Sequence, residues 1–169
     1  IKLAYKIGEA NMNETDKAVA ERLESFGVEF STRYAGEAKP WGDTVSDHYR
    51  VSFGKFTTDF YQGIGHRKAI KGANMPNPPY RRGTIAYEEW AKQNIKPVAP
   101  SAASVLYCLL SDAEAVNQSF YDWANDLGYD TDSREALETY EACCKIGIEF
   151  RKIFTPSQMQ ELRELLQDY

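Results

Sequence analysis

Two histidines and three cysteines are the side chains of this 169-residue chain best suited to act as a base or a nucleophile near neutral pH. His48 stands beside Asp47, and His66 lies in a glycine-rich stretch. Neither histidine belongs to a known hydrolase, zinc-protease or zinc-deaminase motif. We therefore predict no catalytic residue and a protein that is not an enzyme.

The cysteines argue against a disulfide framework and against a zinc site. Their number is odd, and Cys143 and Cys144 are adjacent, whereas zinc sites use cysteines at a fixed spacing. Together with Cys108 they fall on apolar stripes of predicted helices, where a cysteine is usually an unreactive core residue. We expect no metal, no cofactor and a reducing cytoplasm.

A basic, glycine-rich stretch over residues 63–68 is the first candidate binding site. Its glycines would let the backbone approach a phosphate, and its cations would add charge. It lacks a dinucleotide-binding spacing and a Walker lysine, so a plain basic loop is the simpler interpretation. A nucleic-acid or phosphate site here would use His66, Arg67, Lys68, Lys71, Arg81 and Arg82, with Tyr61 and Tyr80 as stacking partners.

A run of acidic residues in the C-terminal part is the second candidate. Residues 61–100 carry 7 basic and 2 acidic residues, whereas residues 101–169 carry 5 basic and 13 acidic residues. Carboxylates displayed on helices can imitate phosphates and occupy a basic protein groove, although solvated helix faces are the simpler interpretation. The predicted partner-binding residues are Asp122, Asp126, Asp130, Glu135 and Glu138. Helix capping explains Asp132 better than calcium binding does.

The hydrophobic periodicity predicts an α+β fold. A helix is expected over residues 13–26, and strands are expected near residues 28–34, 48–54 and 55–61. The last two strands form a hairpin turning at Gly54-Lys55, with Tyr49, Val51 and Phe53 on one apolar face that a helix must cover. Residues 63–83 read as an extended loop. After Thr84 we expect a short helix through about Asn94, with an extended conformation as the alternative.

The C-terminal part is predicted to be helical because apolar residues recur there at a spacing of three or four. Helices are expected near residues 102–110, 119–127, 132–154 and 156–168, and capping signals mark the start of the last three. A length of 169 residues fits a single domain over residues 1–169. Within it we expect a helix plus sheet (1–62), a basic Gly/Pro-rich connection (63–100) and an acidic helical half (101–169).

No stretch is apolar enough to span a membrane, and residues 1–8 lack a secretory hydrophobic region. These observations predict a cytoplasmic protein.

The block FYDWANDLGYDTDSREALETYEAC at residues 120–143 resembles a block in small uncharacterised proteins of tailed bacteriophages, prophages and related mobile elements. The segments TDFYQGIGHR (58–67) and VLYCLLSD (105–112) are similar to preceding parts of those proteins. The resemblance covers roughly half of the chain and departs at the N-terminal helix and over residues 71–96. No activity is assigned to that family, so the resemblance implies an origin.

This origin implies a class of function. Small phage accessory proteins without catalytic motifs often bind and block host proteins, including CRISPR and restriction systems. The resemblance thus implies that the partner is a host protein or complex that handles nucleic acid, met in the bacterial cytoplasm. Two alternatives stay open: a nucleic-acid-binding accessory protein that uses the basic 66–82 loop, and a small-ligand or nucleotide binder that uses residues 63–68.

Overall fold

The computed structural model describes residues 13–41, 44–69 and 79–169. The chain divides into two compact units, a helical unit (residues 13–30 and 101–169) and a sheet unit (residues 31–100). The predicted α+β class is confirmed.

The sheet unit is organised around three antiparallel strands in the order β1-β2-β3. They are β1 (Phe30–Trp41), β2 (Thr44–Phe53) and β3 (Phe56–Gly63). The predicted hairpin is confirmed: Phe53 pairs with Phe56, and Gly54 turns the chain with a positive φ of 61°. The first strand extends beyond residue 34, where it was predicted to end, and continues through Gly36.

A second, smaller sheet lies in the stretch expected to be an irregular loop. A 3-10 turn (Ile64–His66) leads to β4 (Lys68–Ala69), which pairs antiparallel with β5 (Ile95–Lys96). Strands of two residues are too short to show a period, so their pairing could not be predicted. The helix expected after Thr84 is confirmed over residues 85–94, and residues 70–78 lie outside the described residues.

In chain order the α-helices of the described residues are α1 (Glu14–Ser25), α2 (Ile85–Asn94), α3 (Ala102–Ala113), α4 (Phe120–Leu127), α5 (Arg134–Ile153) and α6 (Pro156–Leu165). Thus the helix after Thr84 is α2, which belongs to the sheet unit, and the other five belong to the helical unit. A 3-10 turn (Glu114–Asn117) links α3 to the segment before α4.

Helix α2 packs on the start of the sheet through a small apolar cluster. Its Tyr87 and Ala91 are buried with Val45 of β2 and Ile64 of the 3-10 turn. Strand β2 keeps the predicted alternation, because its odd-numbered residues are all buried: Val45, Asp47, Tyr49, Val51 and Phe53.

Helix α1 belongs with the C-terminal helices, whereas the sequence-based division grouped it with the sheet. Arg22 of α1 donates to Glu161 of α6 at 2.8 Å, and the ring of Phe26 meets Phe154 edge to face. Ser101, the cap of α3, donates to Asp16 at 2.8 Å. The earlier division failed because hydrophobic periodicity identifies a helix but not the surface against which it packs.

Capping residues start the helices as predicted. Thr155 and Gln158 form a full capping box before α6, and the Ser119 hydroxyl accepts a hydrogen bond from the backbone N–H of Asp122. The expected capping role of Asp132 is wrong: Ser133 caps α5, which begins at Arg134.

The charge asymmetry of the sequence follows the two units. The helical unit carries 7 basic and 18 acidic residues, and residues 31–100 carry 11 basic and 6 acidic residues. Folding as one domain stays a prediction, which a single cooperative thermal transition would support. No helix in the described part of the chain is long and apolar enough to cross a membrane.

Candidate functional site

The five predicted partner-binding carboxylates are all exposed, and we call them the acidic surface: Asp122, Asp126, Asp130, Glu135 and Glu138. They come from α4, from the turn after it and from the first half of α5. Asp122 and Asp126 are four residues apart and Glu135 and Glu138 three apart, so each pair lies on one face of its helix. The five predicted residues therefore lie on two consecutive helices and on the turn between them.

An aromatic cluster holds α4 against α5 beneath these carboxylates. Trp123 of α4 is buried and stacks on Tyr129, with ring centroids 5.1 Å apart and planes 8° apart. The hydroxyl of Tyr140 on α5 donates to the backbone carbonyl oxygen of Gln118 at 2.6 Å. Because buried aromatic rings and a satisfied hydroxyl fix both helices, the carboxylates are presented on a defined backbone.

Most carboxylates of the acidic surface form no ion pair with another described residue. Within the described ranges, only Glu138 forms an ion pair, with the exposed Arg134 at 3.0 Å. Asp126 accepts a hydrogen bond from the Gln118 side chain at 2.8 Å, and Asp130 accepts one from the backbone of Asp132 at 2.9 Å. The surface therefore retains most of its negative charge for a partner.

Large apolar side chains are exposed on the same two helices. Tyr121 is 66% exposed and Leu127 is 60% exposed on α4, and Leu137 is exposed on α5. Protein interfaces commonly combine such anchors with a charged surround. Sequence reasoning missed these three residues, because periodicity does not separate an exposed apolar residue from a buried one at a helix end.

The basic residues of the first candidate site differ in their exposure to solvent. His66, Lys68, Arg81 and Arg82 are exposed, whereas Lys71 lies outside the described residues. Arg67 is buried, and its guanidinium is bound to carboxylates. Its assignment as a nucleic-acid or phosphate contact is corrected accordingly, because a phosphate cannot reach a guanidinium enclosed in this way.

Arg67 instead forms the centre of a buried polar cluster in the sheet unit. Its Nε donates to Oδ2 of Asp47 at 3.0 Å, and its Nη2 donates to Oδ1 at 2.6 Å. The same Nη2 donates to Glu37 at 2.9 Å, and Lys92 lies 3.3 Å from the other oxygen of Glu37. Tyr34 also donates to Asp47, at 3.3 Å. These contacts engage both oxygens of the Asp47 carboxylate, so it is not a free general base.

Strand β1 reaches this cluster with two side chains because its alternation is interrupted. Tyr34 and Glu37 are three residues apart, and strict alternation would place them on opposite faces of the sheet. Gly36 lies between them with a φ of 106°, a backbone conformation that favours glycine. The interruption allows both side chains to reach the Arg67–Asp47 pair.

The cluster shifts the pKa values of its members. Burial raises the pKa of Glu37, but the hydrogen bonds from Arg67 and Lys92 outweigh burial and hold the pKa below its usual range. Burial and then the charge of Asp47 raise the pKa of Tyr49 to about 12. The hydroxyl of Tyr49 is buried and finds no hydrogen-bond partner among the described residues.

His48 and Asp47 are neighbours in sequence but lie on opposite faces of β2. The His48 ring stacks on Tyr61, and its Nε2 lies 2.8 Å from Asp59, which also accepts from Arg50 at 2.6 Å. Within the described residues, the side-chain hydrogen-bond partner of His48 is thus a carboxylate and not a serine hydroxyl.

The cysteines are only partly the core residues that were predicted. Cys143 is buried, and burial, with the charge of Asp112 and then of Cys144, raises the pKa of its thiol to about 12. Cys144 is half-buried and Cys108 is exposed, so the prediction of a buried Cys108 is wrong. Among the residues that can be described, no three His, Cys, Asp or Glu side chains are grouped to hold a metal ion.

Comparison with known proteins identifies no relative of this chain. No family model, no curated protein and no solved structure matches it.

One feature of the sequence, the position of Asp47 in β2, indicates the buried cluster. Asp47 occupies the same alternating positions as Tyr49, Val51 and Phe53, which were predicted to face the core. A carboxylate at such a position requires a cationic partner, because burying an unpaired charge is costly. The signal predicts that a partner exists, but only the fold identifies it as Arg67.

Proposed function

We propose that this chain is an accessory protein of a phage or mobile element that binds a host protein and inhibits it. The partner is a nucleic-acid-handling protein, such as a CRISPR or restriction complex, met in the bacterial cytoplasm. The observation that carries the proposal is the acidic surface, five exposed carboxylates of which only Glu138 has a cationic partner in the described ranges. The resemblance of residues 120–143 to phage proteins supports the choice of partner.

The mechanism of inhibition would be occupation of a groove. A protein that handles nucleic acid holds phosphates with arginines and lysines, and spaced carboxylates satisfy the same cations. Exposed Tyr121 and Leu127 would supply apolar anchors that nucleic acid lacks. The excess of 18 acidic over 7 basic residues in the helical unit would speed the encounter with a basic surface.

The experiment begins with recovery of the partner. The tagged protein is used to capture proteins from bacterial lysate across a salt series, with and without nuclease. The captured protein is then purified and tested for saturable binding, and its nucleic acid is tested as a competitor. Saturable binding that nucleic acid competes away is the expected result. Binding that survives saturating nucleic acid would contradict the proposed groove.

The acidic surface is tested by triple charge reversal, Asp122→Lys, Asp126→Lys and Glu138→Lys. Affinity for the purified partner should fall about 100-fold, because the cations of the partner would then face cations. The matched control reverses three other exposed carboxylates of the helical unit, Glu21, Glu24 and Asp168, with the same change in net charge. Equal losses in both triples would mean that net charge, and not the acidic surface, determines binding.

Direct binding of nucleic acid is the second candidate function. It is favoured by the exposure of Arg81 and Arg82 beside Tyr80, which is 47% exposed. With His66 and Lys68, these residues predict that log affinity for an oligonucleotide falls with log salt concentration, and that R81A/R82A reduces that slope by about 2. Absence of any oligonucleotide shift at low salt would remove this candidate.

A nucleotide site over residues 63–68 is a separate candidate. Detection of a co-purified nucleotide by mass spectrometry would support it.

A further inference from the structure

The helical unit contains a cavity of about 380 Å³ that none of the acidic-surface residues lines. It lies between the end of α3 with the following 3-10 turn, the second half of α5, and α6. Phe154 and Met159 are buried in its wall, and Val116 is half-buried. Asn117 and Arg151 are exposed, so the apolar wall lies inside and the polar groups lie toward the opening.

The ionisable residues that line this cavity are positively charged, whereas the helical unit as a whole has an excess of acidic residues. Both ionisable side chains in its lining are arginines, Arg151 and Arg163, in a unit with 18 acidic and 7 basic residues. Nη2 of Arg151 donates to the neutral amide oxygen of Asn117 at 2.7 Å, and no carboxylate of the described residues forms an ion pair with it. Arg163 is paired with Glu114 at 2.5 Å. Arg151 therefore supplies a positive charge that is available to a bound anion.

We propose that this cavity binds a small amphipathic anion, a carboxylate carried on an aliphatic or aromatic body. The volume lies within the range of small-molecule sites, about 300–1,000 Å³. The wall of Phe154, Met159 and Val116 packs against the apolar body, and the planar guanidinium of Arg151 donates two parallel hydrogen bonds to the carboxylate. This site is separate from the acidic surface and does not depend on the proposed function.

Met159 provides a local reporter of binding. The chain has three methionines, Met12, Met75 and Met159, and of these Met159 lines the cavity. With methyl-labelled methionine, the Met159 signal is assigned from the spectrum of Met159→Leu, a nearly volume-conserving change. Titration with octanoate should shift this signal saturably. Titration with 1-octanol, which has the same chain length without the charge, should show affinity lower by roughly tenfold.

Three variants separate the charge effect from general damage. Arg151→Gln should weaken octanoate binding roughly tenfold, since it removes a charge-assisted contact. Arg134→Gln, near the other end of α5, is the matched control and should leave the affinity unchanged. Glu114→Gln releases Arg163 from its carboxylate and should tighten binding. Loss of structure cannot produce these opposite changes in affinity.

Circular dichroism confirms that each variant is folded before it is titrated. Absence of a saturable Met159 shift at millimolar octanoate would overturn the proposal. Equal affinities for octanoate and 1-octanol would overturn it as well, because the charge would then play no part. Equal losses in Arg151→Gln and Arg134→Gln would have the same consequence.

Discussion

Arg67 and Asp47 form a two-point ion pair in the sheet unit, with hydrogen bonds of 3.0 and 2.6 Å to the two carboxylate oxygens. They lie 20 residues apart in the chain. The Asp47 side chain is fully buried and the Arg67 side chain is 3% exposed. Both charges have therefore lost their water, so Asp47 depends on Arg67 for compensation, and Arg67 depends on Asp47 together with Glu37.

Removing one member of this pair should destabilise the protein strongly. We expect Arg67→Met to lower the free energy of unfolding by about 3–5 kcal/mol, because it leaves the buried Asp47 carboxylate without its cation. Asp47→Leu should cost less, because Glu37 still compensates the charge of Arg67. Urea denaturation measures this change. The control is Arg50→Met, which breaks a more exposed pair with Asp59 and should cost about 1 kcal/mol or less.

The double variant separates pairing from packing. Asp47→Leu combined with Arg67→Met should cost much less than the sum of the two single changes, because no unpaired charge remains. If the two costs simply add, the pair does not act as a unit and the geometry of the cluster has another role.

Glu37 should make stability depend on pH in the acid range. Burial raises the pKa of Glu37, but hydrogen bonds from Arg67 and Lys92 lower it by more than burial raises it. The folded pKa therefore lies below the unfolded value of about 4.5. The stabilisation is complete above the unfolded pKa and is lost as the pH falls through the folded pKa. Urea denaturation between pH 6 and about 3 should show a shallower dependence in Glu37→Gln than in the wild type. Identical slopes would contradict the prediction.

Tyr49→Phe should stabilise the protein by about 1 kcal/mol, because it removes a buried hydroxyl that lacks a partner in the described residues. Thermal unfolding at neutral pH measures the effect. The raised pKa of Tyr49, about 12, adds a second readout. Between the unfolded pKa of 10 and the folded value, wild-type stability should fall with pH more steeply than that of Tyr49→Phe. A destabilised Tyr49→Phe would show that the hydroxyl has a partner after all.

Gly147→Ala should destabilise the helical unit by about 1–3 kcal/mol through overpacking. A Cβ at this position would lie 2.6 Å from the carbonyl oxygen of Ala113 and 2.9 Å from Val116 Cγ1, so α5 or its neighbour must move. Gly65→Ala is the matched control, because a Cβ there meets nothing within 4 Å. Equal unfolding temperatures for the two variants would show that the close approach of α5 relaxes without cost.

Much of the secondary structure could be predicted because its signals are local. Thr155 and Gln158 stand three residues apart and cap α6, and Gly54 stands where the hairpin turns. Such signals need only neighbouring residues in the chain. The wrong assignment of the cap to Asp132 is an error of one residue, because Ser133 is the cap.

The candidate sites were predicted unevenly for a related reason. The exposure of Asp122 and Asp126 followed from their position opposite the apolar stripe of α4, which periodicity reveals. Arg67 was assigned to a basic surface because its sequence neighbours are His66 and Lys68. Its actual partners, Asp47 and Glu37, are 20 and 30 residues away.

Residue types and their local spacing were enough to establish the α+β class, the positions of most helices and strands, and the separation of negative from positive charge along the chain. These properties depend on residue type and on spacing over a few residues. The tertiary structure alone decided that α1 joins the C-terminal helices, that Arg67 is enclosed by carboxylates, and that Arg151 and Arg163 line one cavity. Each of these facts is a contact between segments far apart in the chain, and the sequence pattern contains no record of which segments meet.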